Sequence, residues 1–247
     1  MQDPLALDPI AAYDFREGQG DTIASLAPDE DDSLTLTLGD AIDREAQPPR
    51  QGILGPVSPP GQGGARWAEE GLVIEGARVA AKTYGPAAWL TDTLVDAGAL
   101  SVEFVGGPGD TEQNGPARMV SLSVDPYHRN LTLGQEADRY VLRLRTTDTD
   151  ANGTPNIETP PGTVRPELQH VMATYDGGVA RVYVDGELAV EEDRGGSLES
   201  WDADYPLVIA NEADLERQWR GTVALAAIYD RALTNDEVTG RADAWLA

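Results

Sequence analysis

The chain contains no cysteine, so disulfide staples and thiolate metal sites are excluded at once. Only two histidines occur, His128 and His170. With no cysteine and no second histidine nearby, His128 cannot begin a zinc site. Cations are scarce: 18 Lys and Arg stand against 43 Asp and Glu, a formal net charge of -25. A surface of that sign repels nucleic-acid phosphates and anionic membranes, which removes both as partners, and its ordinary consequence is solubility. Long apolar runs are missing too. The longest, Val223 to Tyr229, suits one buried strand and falls short of the ~18–20 residues that cross a bilayer. There is no nucleophile elbow, no phosphate-binding glycine loop with its lysine and no HExxH stretch, so serine hydrolysis and phosphoryl transfer lose their usual signatures. No internal repeat is visible. Met1-Gln2-Asp3-Pro4 has neither the basic nor the apolar region of a leader.

What remains is a soluble chain of 247 residues, 40% hydrophobic, long enough to bury a sizeable core. Its apolar residues recur with period two. Arg181-Val182-Tyr183-Val184-Asp185 alternates between Asp176-Gly177-Gly178 and Asp185-Gly186, the pattern of antiparallel hairpins joined by tight turns. Leu34, Leu36 and Leu38 alternate with Ser33, Thr35 and Thr37. Further strands are expected over 10–15, 72–74, 78–80, 99–105, 119–124, 130–133 and 140–146. Leu90 and Leu94 predict a short helix within 89–97, and Thr234-Asn235-Asp236-Glu237 is a capping box opening a helix over 234–246 with Val238, Ala242 and Trp245 on one face. The acidic run Asp29 to Asp32 reads as a solvated turn. Residues 47–64, rich in Pro and Gly, cannot pair as a central strand and read as a surface loop.

Three stretches go further. The order HxxxTYDGxxxxxYVDG from His170, LxIAN from Leu207 and WxGxVxxxxIYDRALTxxEV from Trp219 resembles the C-terminal half of bacterial LamG-like jelly-roll domains of the concanavalin A-like lectin/glucanase group. The opening AxYxFxEGxG from Ala11 is similar to the start of the same domains. The resemblance implies an all-β sandwich of two antiparallel sheets with a short C-terminal helix, one domain spanning 1–247, its terminal strands adjacent in one sheet. Val182, Val184, Leu207, Ile209, Val223 and Ile228 are expected in the core. His170, within the signature, is expected to be structural. The family is mostly extracytoplasmic, which implies that a leader has been removed.

Glu212-Ala213-Asp214-Leu215-Glu216 has a spacing similar to the E-x-D-x-E motif of β-glucanases sharing this fold. On a strand, Glu212, Asp214 and Glu216 would share a face, and retaining hydrolysis needs a nucleophile and an acid about 5–5.5 Å apart. As a loop, the same residues form a solvated turn. Asp148, Asp150 and Asn152, with Gly153 next and Glu158 beyond, offer oxygens in the order of a calcium loop, so Ca2+ is the cofactor expectation. Many LamG-like domains place calcium at GxIDEVxIY, but here Ala224 and Leu225 replace the acidic pair. Trp201, Tyr205 and Trp219, which fall in or beside loops, are the candidate sugar-stacking rings, although Trp201 reads first as a plug under a loop; Tyr127 and His128 form a second candidate at a turn.

The expectation is a non-catalytic extracellular recognition domain that binds a glycan or a cell-surface protein through loops at one sandwich edge. The rivals are a retaining glycoside hydrolase using Glu212, Asp214 and Glu216, and an assembly or spacer module of a larger surface complex. Catalysis requires 212–216 to be a central strand on the concave face; recognition tolerates a loop.

Overall fold

The computed structural model describes residues 3–17, 20–27, 33–40, 64–76 and 78–247. The acidic run 29–32 and, apart from Gly64, the Pro/Gly-rich stretch 47–64 lie outside the described residues.

Sixteen strands among the described residues form two antiparallel sheets of eight. In chain order they are β1 (Ala11–Asp14), β2 (Thr22–Ile23), β3 (Leu36–Asp40), β4 (Ala65–Ala68), β5 (Gly71–Ile74), β6 (Val79–Thr83), β7 (Leu100–Pro108), β8 (Ala117–Asp125), β9 (His128–Glu136), β10 (Arg139–Leu144), β11 (Ile157–Glu158), β12 (Gln169–Tyr175), β13 (Val179–Val184), β14 (Glu187–Asp193), β15 (Leu207–Ile209) and β16 (Gly221–Tyr229). The first sheet, A, runs β14-β13-β12-β7-β16-β5-β4, with β1 also pairing β16; the second, B, runs β11-β10-β9-β8-β15-β6-β3-β2. The first strand therefore lies beside the last, with Ala11 opposite Ile228. This is the jelly-roll sandwich that the resemblance to LamG-like domains implies.

Alternation sends one face of each strand into a common core. Val182 and Val184 from sheet A meet Leu207 and Ile209 from sheet B there, together with Val223, Ile228 and the leucines 34, 36 and 38. Local chemistry fixes the register. At the β13–β14 turn Asp185 and Gly186 have φ of 52° and 83°, the paired positive values of a type I′ hairpin, which Asp-Gly tolerates and most dipeptides do not. Helix α1 (Ala88–Ala97) has no side-chain cap at its N-terminus and buries Leu90 and Leu94. Helix α2 (Asn235–Leu246) opens on the full capping box between Thr234 and Glu237. It packs Val238 and Trp245 against Tyr183, Leu225 and Tyr229, covering the side of sheet A that faces away from sheet B.

Beneath α2 lies a buried polar clamp. Glu103 on β7 is fully buried; it accepts hydrogen bonds from Arg241 Nε and Nη2 at 3.0 Å each and from Tyr229 Oη at 2.6 Å, and lies 2.9 Å from His170 Nε2. Burial pushes its carboxyl up, but His170 and the Arg241 guanidinium outweigh this and hold it below the ordinary range. Arg241 Nη1 also donates to the carbonyl of Asp3, tying the N-terminal segment to the same point. His170 thus has the structural setting expected of it.

Candidate functional site

Residues 212–216 are a turn between β15 and β16, not a strand, which corrects the catalytic alternative. Leu215 adopts a left-handed φ of 65°, its N–H donates to Glu212 O at 3.0 Å, and the Glu216 N–H donates to Asp214 Oδ1 at 3.0 Å. The chain reverses here, so the two-residue period that would put three carboxylates on one face is lost. Glu212 is fully buried against sheet B, where Arg118 Nε donates to it at 3.0 Å and Ser123 Oγ also donates. Glu216 projects to Arg78 at 2.6 Å, and Asp214 is exposed. No matched acid and nucleophile result. The turn is anchored at its neck: Trp219 N–H donates to Ala210 O at 3.0 Å, and Gln218 Oε1 accepts from Val79 N–H at 2.8 Å and from the Asn211 amide at 2.9 Å.

The calcium expectation meets a different use of the same oxygens. Asp150 Oδ1 accepts the N–H groups of Asn152 at 3.0 Å and Thr154 at 2.9 Å, and Oδ2 accepts the Thr154 hydroxyl at 2.6 Å. Burial opposes ionisation of Asp150, yet these donors hold its carboxyl below the ordinary range. Asn152 Oδ1 faces Arg143 Nη1 at 3.3 Å, Glu158 pairs with Arg139 at 3.3 Å, and Asp148 stands exposed beside Gly195. With two guanidinium groups among them, Asp148, Asp150, Asn152 and Glu158 do not converge as a calcium shell requires. Among the described residues no group of three or more His, Asp or Glu side chains is placed to hold a metal ion.

The loop aromatics divide by burial. Trp201 is 9% exposed, its indole N–H donating to Arg145 O at 2.7 Å, so it is the plug and not a stacking platform. Trp219 is buried edge-on against Phe104 with its N–H on Gln135 Oε1 at 3.0 Å, which likewise removes it as a platform. Tyr205, 8% exposed, presents little of its ring. In each case a loop that folds back on a sandwich needs a large side chain to seal it. Tyr127 is 67% exposed at the β8–β9 turn, beside His128, whose Nδ1 lies 2.9 Å from Asp125 Oδ2.

The sequence reading passed over Tyr84, which is 79% exposed one residue beyond β6. Register places it at the same end of sheet B as Tyr127: Val208 of β15 stands opposite Lys82 on one side and Ser121 on the other, so Tyr84, Pro206 and Ser123, four residues before Tyr127, are level. Two strand spacings separate β6 from β8, roughly 10 Å. The two exposed rings therefore rim the same end of sheet B. The floor between them is stiff, because the Asn130 amide clamps the 201–206 loop, donating to Asp202 O at 2.8 Å and accepting from its N–H at 2.9 Å. An aromatic residue in the Tyr84-Gly85-Pro86 connection was the available signal.

Below this rim the outward face of sheet B is polar and mostly cationic. Arg118 of β8 and Arg129 of β9 are fully buried, while Arg143 of β10 and Arg217 of the 212–218 turn are partly exposed. Burial first, then the positive charge of Arg118, pushes Arg129 down to about 9; burial, opposed by Glu212 and reinforced by Arg143 and Arg217, lowers Arg118 as well. A hydroxyl chain joins the group: Arg129 Nη1 donates to Thr132 Oγ1 at 3.1 Å, Thr132 meets Ser121 at 2.8 Å, and Ser121 meets Ser123 at 2.6 Å, next to Glu212.

The fold and these faces define a class. Residues 82–239 match a laminin-G family model described as the concanavalin A-like lectin/glucanases superfamily, and the chain belongs to that family. No curated protein matches it. Among solved structures it is similar to domain 4 of AbnA, a GH43 extracellular arabinanase from Geobacillus stearothermophilus, in complex with arabinotriose, with 16% identity, TM-score 0.60, and 95% of this chain and 98% of that one covered. The botulinum neurotoxin type G receptor binding domain follows at 12% identity and TM-score 0.57, over 95% of this chain and 51% of that one. The IT-sialidase CBM40 of Ruminococcus gnavus bound to α2,3-sialyllactose shows 14% identity and TM-score 0.51, over 64% and 91%. At such identities the likeness is one of fold.

Proposed function

We propose that the chain is a non-catalytic recognition module, working outside the cytoplasm, that binds carbohydrate or another cell-surface molecule at the Tyr84–Tyr127 end of sheet B. The observation that carries this reading is the pair of exposed rings, 79% and 67% accessible, on one stiffly held edge. Sugar rings stack their C–H faces on such aromatics, and a ring held by rigid loops loses little entropy on binding. The dispersal of Glu212, Asp214 and Glu216 supports binding without hydrolysis. Similar folds in complex with arabinotriose and sialyllactose, and one named a receptor binding domain, point the same way.

The test is a glycan array followed by calorimetric titration of the best binder against wild type, Tyr84→Ala and Tyr127→Ala. Each ring removed is expected to weaken binding by about 2- to 12-fold, a stacking contribution of ~0.5–1.5 kcal/mol. A wild-type protein that binds no glycan, or one whose affinity survives loss of both rings, overturns the reading. Cleavage products appearing in the titration cell would restore the hydrolase.

A further inference from the structure

The protein carries a formal net charge of -25, yet four arginines share one face of sheet B. Among the described residues only one of the four is ion-paired, Arg118 with Glu212. Arg143 donates to two neutral amides, Asn156 at 2.7 Å and Asn152 at 3.3 Å, with the charges of Glu136, Asp150 and Glu158 further off; Arg217 donates to the carbonyl of Glu216 at 3.0 Å. Donors remain over. Arg118 Nη2, Arg129 Nε and Arg217 Nε are buried without an acceptor. A buried guanidinium N–H without a partner costs free energy, and like charges this close repel, so an anion that reached these donors would be held favourably.

We infer that the face bounded by Arg118, Arg143 and Arg217 takes up the carboxylate of an acidic sugar as part of the ligand recognised at the Tyr84–Tyr127 rim. This rests on the recognition reading and narrows its ligand. The planar guanidinium presents paired donors that match a carboxylate in two-point fashion, and Glu212 shows that a carboxylate already seats here, between Arg118 and Ser123. Access is from the side of Arg143 and Arg217, the two partly exposed members. Beneath the surface the group reaches towards the rim: the guanidinium of Arg129, itself fully buried, donates to Pro126 O, directly under the turn that carries Tyr127.

The experiment prints each glycan in matched forms: the acid, its carboxyl-reduced derivative and a sulfated counterpart. Wild type should bind the acid about 10- to 100-fold more tightly than the reduced form, the size of one charge-assisted hydrogen bond set. Arg143→Gln should bring the acid down to the level of the reduced form. Because Arg143 also steadies Asn152 and Asn156, Arg217→Gln serves as the second variant, and thermal unfolding checks that both are folded. Equal binding of acid and reduced forms, or preference for the sulfated form, overturns the inference while leaving the recognition reading intact. Failure to bind any of the three overturns both.

Discussion

Replacing Glu103 with glutamine removes the one negative charge from the clamp under α2 while keeping its shape. In the native protein that carboxylate accepts from Arg241 through two nitrogens and from Tyr229, and the Arg241 side chain is only 4% exposed. The variant strands the guanidinium as a buried, uncompensated charge, for which the cost is about 3–5 kcal/mol. For a domain of 150–250 residues each kcal/mol moves the melting temperature by roughly 2–4 °C, so a fall on the order of 6–20 °C is expected. Denaturant melts monitored by far-ultraviolet dichroism measure the loss, and limited proteolysis at α2 shows where it acts, since Arg241 also holds Asp3. The double variant Glu103→Gln, Arg241→Met removes both charges and should recover much of the stability, because a buried pair contributes less as a pair than its breakage costs. A single-variant cost below ~1 kcal/mol, or a double variant worse than the single, would refute the clamp.

Trp201→Ala should destabilise by about 3–5 kcal/mol, as loss of a buried ring does; a melting temperature close to wild type would mean that the ring is no plug. Glu237 is held at about 2, below 4.5, by its hydrogen bonds to Arg231 and the Thr234 cap. A depressed carboxyl stabilises fully above its unfolded pKa, so this contribution is lost as pH falls from 4.5 towards 2, and Glu237→Gln should flatten acid unfolding in that window. Millimolar Ca2+ added to chelator-treated protein should leave the melting temperature unmoved. A rise abolished by Asp150→Ala would show that the loop rearranges into a metal site.

The frame of the molecule was readable because each signal was local. Asp185-Gly186 dictates its turn, Thr234 and Glu237 cap each other, and the leucines 34, 36 and 38 declare one buried face. The site was harder, since it depends on what loops do. Glu212 to Glu216 has strand periodicity but follows directly on a strand, so both strand and solvated turn were open in sequence; the left-handed Leu215 and its hydrogen bond back to Glu212 decide for the turn. Trp201 and Trp219 sit in segments that look exposed by position but close over the sandwich. The arginine face leaves no trace in sequence: Arg118, Arg129 and Arg143 are far apart in the chain, and only the pairing of β8 with β9 and of β9 with β10, including bulges near Arg118 and Ser123, gathers them.

The side-by-side placement of β1 and β16 bears on how the protein responds to tension. Pulling on the two ends would load the four-residue β1 and the Asp3–Arg241–Glu103 links before it reached the sandwich. Because Ala11 and Tyr13 of that strand are part of the main core, the links under α2 would act as a latch that shields the sandwich from load at its ends.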